Sequence, residues 1–229
     1  MEREAIKRVK VLLLDFDGVF YPFTTDFHAH VNQAAARAAL RLGVPLSPED
    51  ALILAERSYA ALGSSVEAFQ KLYDLPVQDC HGTFSEELNP TVVEALHVTA
   101  EHLMMCPVEK AILSHGSRAW IRGVLDRFGL NDLFPDSHVF GLEDLDFRFK
   151  QQEDGAVYRH VLDRLGTTAE GTVMVEDTLC NLPPAKGLGL TTVYITQGRP
   201  FEPAKHPYVD HTFVDLATFF DATFEPLAR

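Results

Sequence analysis

The sequence predicts an α/β protein: a parallel-sheet core interrupted after its first strand by a helical insert. Three observations predict it. Val11-Leu-Leu-Leu14 is an apolar run of strand length with no polar face, the pattern of a strand covered on both sides. From about residue 22 to 107 the chain reads helical almost throughout. From Val108 onward, short apolar runs alternate with helical stretches, the order of βαβ units. The expected division is core 1–21, insert 22–107 and core 108–229.

Within the insert, residues 28–42 are alanine-rich with helical apolar spacing and stop at Gly43. Ser47-Pro48-Glu49-Asp50 opens the next helix, with a capping hydroxyl, a first-turn proline and acids that complement the dipole. Residues 64–75 and 91–105 supply two more helical stretches. In the core, Lys110–Ser114 reads as a strand, followed by a helix over 118–128 and a weak strand at Val139-Phe140. A helix over 156–165, strands at Thr172–Glu176 and Thr191–Ile195 and a short helix at 183–188 follow. His211–Val214 is expected as an edge strand before a terminal helix.

Composition narrows the partners. The chain has 229 residues, 46% hydrophobic and 23% charged, and a net charge of −13. That balance argues against a nucleic-acid polymer, which needs a basic patch. Three cysteines, Cys80, Cys106 and Cys180, have no CxxC spacing and fit reduced thiols better than disulfides or a zinc site. Met1–Lys10 alternates charges and lacks a signal-peptide core, and no stretch is long enough to span a bilayer. The cytoplasm is the expected compartment, with no membrane partner.

Chemistry collects at strand ends. Asp15 and Asp17 close the first strand one residue apart, and Gly18 allows a sharp turn. Two like charges so close are costly unless a cation or a shared proton offsets them. Ser114-His115-Gly116-Ser117 ends the second core strand, with a hydroxyl and backbone amides ahead of a helix suited to a phosphate. Glu176-Asp177-Thr178 ends a later strand, with Asn181 one turn on. Carboxylates and an amide around Asp15 offer Mg²⁺ the hard oxygen ligands it prefers. Lys150, the one lysine between Lys110 and Lys186, is the expected cation for a phosphoryl oxygen or a buried carboxylate.

These residues resemble the haloacid dehalogenase superfamily of aspartyl-phosphate phosphatases, over nearly the whole chain and in order. Asp15-Phe-Asp17-Gly-Val is similar to its first motif, Ser114 to its second and Lys150 to its third. Glu176-Asp177-Thr178-Leu-Cys-Asn181-Leu is similar to its fourth. Three stretches resemble the pyrimidine 5′-nucleotidase-like branch: Phe20-Tyr21-Pro22, Tyr59-Ala-Ala-Leu-Gly63-Ser-Ser, and Asn181-Leu182 with Ala185-Lys186-Gly-Leu-Gly189. The sequence departs from the pattern where His115 stands in place of a frequent asparagine, and where Gln151 rather than proline follows the lysine.

The resemblance implies a Rossmann-like core with a helical cap, and a Mg²⁺-dependent phosphomonoesterase. It makes Asp15 the nucleophile and Asp17 the acid and base. Asp15, the Asp17 carbonyl and Asp177 become the metal ligands, supported by Glu176 and Asn181. Gly18, Ser114, His115, Gly116 and Lys150 are placed around the phosphate. The implied partner is a small phosphorylated metabolite, in the nucleotidase-like branch a nucleoside 5′-monophosphate, acted on by a monomer or homodimer. A phosphosugar mutase or a phosphoglycolate-type phosphatase would share the motifs. A dehalogenase would need no acid at Asp17, and a non-catalytic binding protein would not be expected to keep every group. In the insert, His28, His30 and His81 read as surface or packing residues, His81 in a loop before Gly82.

Overall fold

A computed structural model describes residues 9–152 and 154–224. These residues form two compact units, one of 9–22, 95–118, 128–152 and 154–224 and one of 23–94 with 119–127. Of the stretch 22–107 expected as a helical cap, 23–94 lie in the second unit, and 22 and 95–107 in the first. The signal-peptide reading of Met1–Lys10 falls, through residue 8, outside the described residues.

The first unit is built on a six-stranded sheet among the described residues. Its strands are β1 (Val11–Leu14), β2 (Glu109–Leu113), β3 (Val139–Phe140), β4 (Thr172–Glu176), β5 (Thr191–Ile195) and β6 (His211–Phe213). All neighbours pair parallel, in the order β3-β2-β1-β4-β5-β6. This is the doubly wound Rossmann order, in which the winding reverses beside β1 and ligands bind at the carboxyl edge there. The α/β, parallel-sheet expectation holds.

Burial explains the strand choice. Every residue of β1 and β4 is buried, as a sheet covered on both faces requires. Leu13 and Met174 join Leu113, Phe140, Tyr158 and Val161 in one core cluster. In register, Leu14 stands opposite Ile112 on one side and Val175 on the other. Asp15, Ser114 and Asp177, each within two residues of these positions, therefore leave the sheet at one edge. Asp15 N–H still donates to Val175 O (2.9 Å) and Ser114 N–H to Phe140 O (3.0 Å), so the site begins on sheet-held backbone.

The second unit packs an alanine-rich helix, Thr25–Arg41, against helices Pro48–Leu62 and Val77–Glu87. Ala35, Ala36 and Ala39 are buried beside Ala51, Ala55 and Phe69, and their small side chains allow close approach. Ser47 caps its helix as expected, accepting from Asp50 N–H at 3.1 Å, and Gly63 ends it in the left-handed region at φ 73°. Trp120 is buried in this unit, its ring centroid 5.9 Å from that of Phe27.

Two local expectations differ. The helix expected over 91–105 is a short turn at Pro90–Val92, an irregular stretch, and a helix only over Ala100–Met105. β-Branched Thr91, Val92, Val93 and Val98 disfavour a continuous helix, and Thr99 starts a new one by accepting from His102 N–H. His81 is not in a loop but inside helix Val77–Glu87, where it is buried with Cys80. Packing on that face outweighs the low helix propensity of Gly82. Among the described residues no helix is long and apolar enough to cross a membrane.

Candidate active site

The turn after β1 delivers two acids in different settings. Asp15 is 6% exposed, whereas Asp17 is half-buried. Between them Phe16 points into the core at 0% exposure, its ring centroid 5.0 Å from Phe20 and 5.6 Å from Tyr21. Phe16 is thus a packing residue that pins the turn. Gly18 then takes φ +83°, and a Cβ there would lie 2.4 Å from Asp177 Oδ2. Only glycine fits both the backbone and the space.

Lys150 ties three strands together. Its ammonium lies 2.6 Å from Asp15 Oδ1, 2.6 Å from Glu176 Oε2 and 3.4 Å from Leu113 O. At 1% exposure it is no surface lysine. Burial works against its charge, yet the Asp15 and Glu176 carboxylates more than offset that and raise its pKa above the ordinary lysine value. Asp15 keeps a second oxygen that takes no hydrogen bond among the described residues.

Glu176 and Asp177 divide the work at the end of β4. Glu176 Oε1 accepts from Asp177 N–H (3.1 Å) and Thr178 N–H (3.0 Å) while Oε2 holds Lys150, so both its oxygens serve the protein. Asp177 Oδ2 instead receives Gln197 Nε2 at 2.8 Å and Arg199 at 3.4 Å. Burial and the neighbouring Glu176 charge push the Asp177 carboxyl up to about 7, against the pull of Arg199 and Lys150. Burial raises Asp15 well above the carboxylate range too, with Glu176 adding to it.

The remaining expected residues fall in or beside this cluster. Ser114 Oγ donates to Asp17 Oδ2 (3.0 Å) and accepts from Gly116 N–H (2.9 Å). His115 Nε2 accepts from Lys150 N–H at 2.9 Å, and its ring stands edge-on to Phe149. Gly116 and His115 therefore fix Ser114 and Lys150 in place. Asn181 is buried, its carbonyl accepting from Tyr158 Oη at 2.6 Å. Sequence reasoning missed Tyr21, which donates to Asp17 Oδ1, and Gln197 with Arg199 on Asp177. The polar run Thr196-Gln197-Gly198-Arg199 directly after β5 was the available signal, since β5 ends at the same sheet edge.

Asp15, Glu176 and Asp177 each bring a carboxylate oxygen within 4.8 Å of the others, all three buried. Against these acids stand the buried Lys150 ammonium and the Arg199 guanidinium beside Asp177, two cations for three carboxyls, so the ionised cluster carries excess negative charge. Oxygen-only donors with uncompensated charge fit a small hard dication such as Mg²⁺.

Haloacid dehalogenase-like hydrolases match residues 9–189 of this sequence. The chain belongs to that family. It is also a homologue of a curated phosphatase, the glyceraldehyde 3-phosphate phosphatase of Methanocaldococcus jannaschii. That relative is 24% identical, covering 93% of this chain and 96% of its own. Two solved structures share the fold. The HAD phosphatase from Thermococcus onnurineus is 20% identical with a TM-score of 0.63, covering 93% of this chain and 97% of its own. CbbY from Rhodobacter sphaeroides, in complex with phosphate, is 20% identical with a TM-score of 0.65, covering 91% and 95%.

Proposed function

We propose that this hydrolase is a Mg²⁺-dependent phosphomonoesterase working through an aspartyl-phosphate on Asp15. One observation carries the reading: the oxygen of Asp15 turned away from Lys150 stays available, while Asp17, two residues on, is held against Ser114. A nucleophile and a separate proton carrier thus stand on one turn. Carbon–halogen cleavage would have no use for the second acid.

In the proposed reaction the free Asp15 oxygen forms a bond to phosphorus as the bond to the leaving oxygen breaks. Asp17 gives that oxygen a proton, then takes one from the water that releases phosphate. Lys150 fixes the Asp15 carboxylate, and the Ser114 hydroxyl lies beside the phosphoryl site. Asp15, the Asp17 carbonyl and Asp177 would hold Mg²⁺, which when bound supplies charge against the repulsion between carboxylate and phosphate. Gly18 gives this cluster room, and Glu176 and Asn181 support its frame.

The substrate class in this reading is a small phosphorylated metabolite. The nucleotidase-like stretches favour a nucleoside 5′-monophosphate, and the named activity of the Methanocaldococcus relative favours a triose phosphate. In this chain Cys80, Cys106 and Cys180 are free thiols, which suits a cytoplasmic setting. The test is phosphate release from nucleotides, triose phosphates and sugar phosphates, with Mg²⁺ and with excess chelator. Inorganic phosphate released only with metal supports the reading. Turnover undiminished by chelator contradicts the metal role, and phosphate returned to a second sugar hydroxyl marks a mutase.

A further inference from the structure

We propose that Tyr21 is a positioning residue for Asp17, its phenol holding the carboxyl in the orientation that hands over the proton. The inference rests on reading Asp17 as the acid and base. Tyr21 is 1% exposed, and its hydroxyl donates to Asp17 Oδ1. On the other oxygen, Ser114 Oγ donates to Oδ2 at 3.0 Å. The Ser114 hydroxyl is itself oriented, because its oxygen accepts Gly116 N–H at 2.9 Å. Two hydroxyls from different elements thus grip the two ends of one carboxylate.

The turn is shaped for this contact. Gly18 reverses the chain in the left-handed region, and a β-bridge joins Asp17 to Tyr21. The Tyr21 ring stands edge-on to Phe16 at an interplanar angle of 86°, so the phenol is set by packing rather than by Asp17 alone. With Oδ1 tied to this rigid donor, rotation that would exchange the two oxygens is blocked. The carboxylate, with Ser114 on the other oxygen, is held in one orientation on the turn. In the reaction the proton passes from the Asp17 carboxyl to the leaving oxygen as its bond to phosphorus breaks and the Asp15–phosphorus bond forms.

A leaving group that departs without a proton gains nothing from this arrangement, whereas a more basic one does. The experiment therefore compares kcat/KM for p-nitrophenyl phosphate and phenyl phosphate, which differ chiefly in leaving-group basicity. For Tyr21→Phe we expect about a tenfold loss on phenyl phosphate, with p-nitrophenyl phosphate held within about twofold, a fraction of what a general acid contributes. Tyr21→Met, also lacking the hydroxyl, must show the same split, and thermal unfolding verifies that each variant folds. Equal losses on both substrates in a folded variant, or no loss, overturn the proposal. Asp17→Ala is run alongside. If it shows the split and Tyr21→Phe does not, the positioning role alone fails. If Asp17→Ala shows none, the acid–base reading of Asp17 fails and takes this inference with it.

Discussion

The Lys150 ammonium sits 2.6 Å from Asp15 Oδ1, joining residues 135 positions apart in the chain. Both groups are buried, and Glu176 shares the same ammonium at 2.6 Å. The contact orients one oxygen of Asp15 and leaves the other without a hydrogen bond among the described residues, the oxygen that attacks in the proposed reaction. It also makes the Asp15–Glu176 pair dependent on this ammonium.

Removing that cation should therefore cost stability as well as activity. Lys150→Ala leaves Asp15 and Glu176 facing each other without compensation, and breaking a buried pair in this way costs about 3–5 kcal/mol. Urea unfolding should show that loss. Adding Glu176→Gln to Lys150→Ala removes one stranded charge and should restore part of the stability without restoring turnover. A Lys150→Ala protein as stable as wild type would mean that the ammonium does not hold the cluster.

Asp177 gives the site a pH signature. Its carboxyl is raised to about 7, so the folded protein binds this proton more tightly than the unfolded chain does. That contribution is fully present below the ordinary aspartate range and is lost as pH rises through about 7. In chelator, Asp177→Asn should thus stabilise the protein at pH 8, by up to a few kcal/mol on the order set by the shift, and change little at pH 4. Mg²⁺ should bind more weakly below pH 7, because the proton must leave first. Melting curves at the two pH values test the first point; an equal effect at both would contradict it.

Gln197 spans the two loops that frame Asp177. Its side-chain amide donates to Asp177 Oδ2 at 2.8 Å and to Gly18 O at 2.7 Å, both acceptors for one NH₂ group. Gln197 holds φ +50°, an uncommon backbone setting for its residue type. Outer-shell groups that orient a ligand typically change metal affinity 10- to 100-fold. Gln197→Ala should raise the Mg²⁺ concentration for half-activation by about tenfold, with kcat at saturating metal little changed. Calorimetric Mg²⁺ binding measures the same shift without turnover.

Much of this was legible in the sequence because it is written locally. The four apolar residues of β1, the paired acids after it and the strand ends at Ser114 and Glu176 lie in unbroken runs. Parallel order then follows from alternation with helices. The cap at Ser47 and the stop at Gly43 were equally local. Tyr21, Gln197 and Arg199 were harder, since their partners are set by the turn at Gly18 and by how β5 pairs with β4. The interior helix around His81 was hidden for a similar reason: Gly82 signals a break that packing overrides. The ring contact of His115 was hidden too, since its nitrogen accepts from the Lys150 backbone, in a segment 35 residues away.

The central claim is a phosphoryl group carried by Asp15. During turnover of p-nitrophenyl phosphate with Mg²⁺, rapid acid quench followed by borohydride reduction converts an acyl phosphate to an alcohol. Mass spectrometry of the peptide bearing residue 15 should then find Asp15 reduced to homoserine in wild type. Asp15→Asn should show no such product and no turnover. Reduction at another carboxylate, or sustained turnover by Asp15→Asn, would contradict the account.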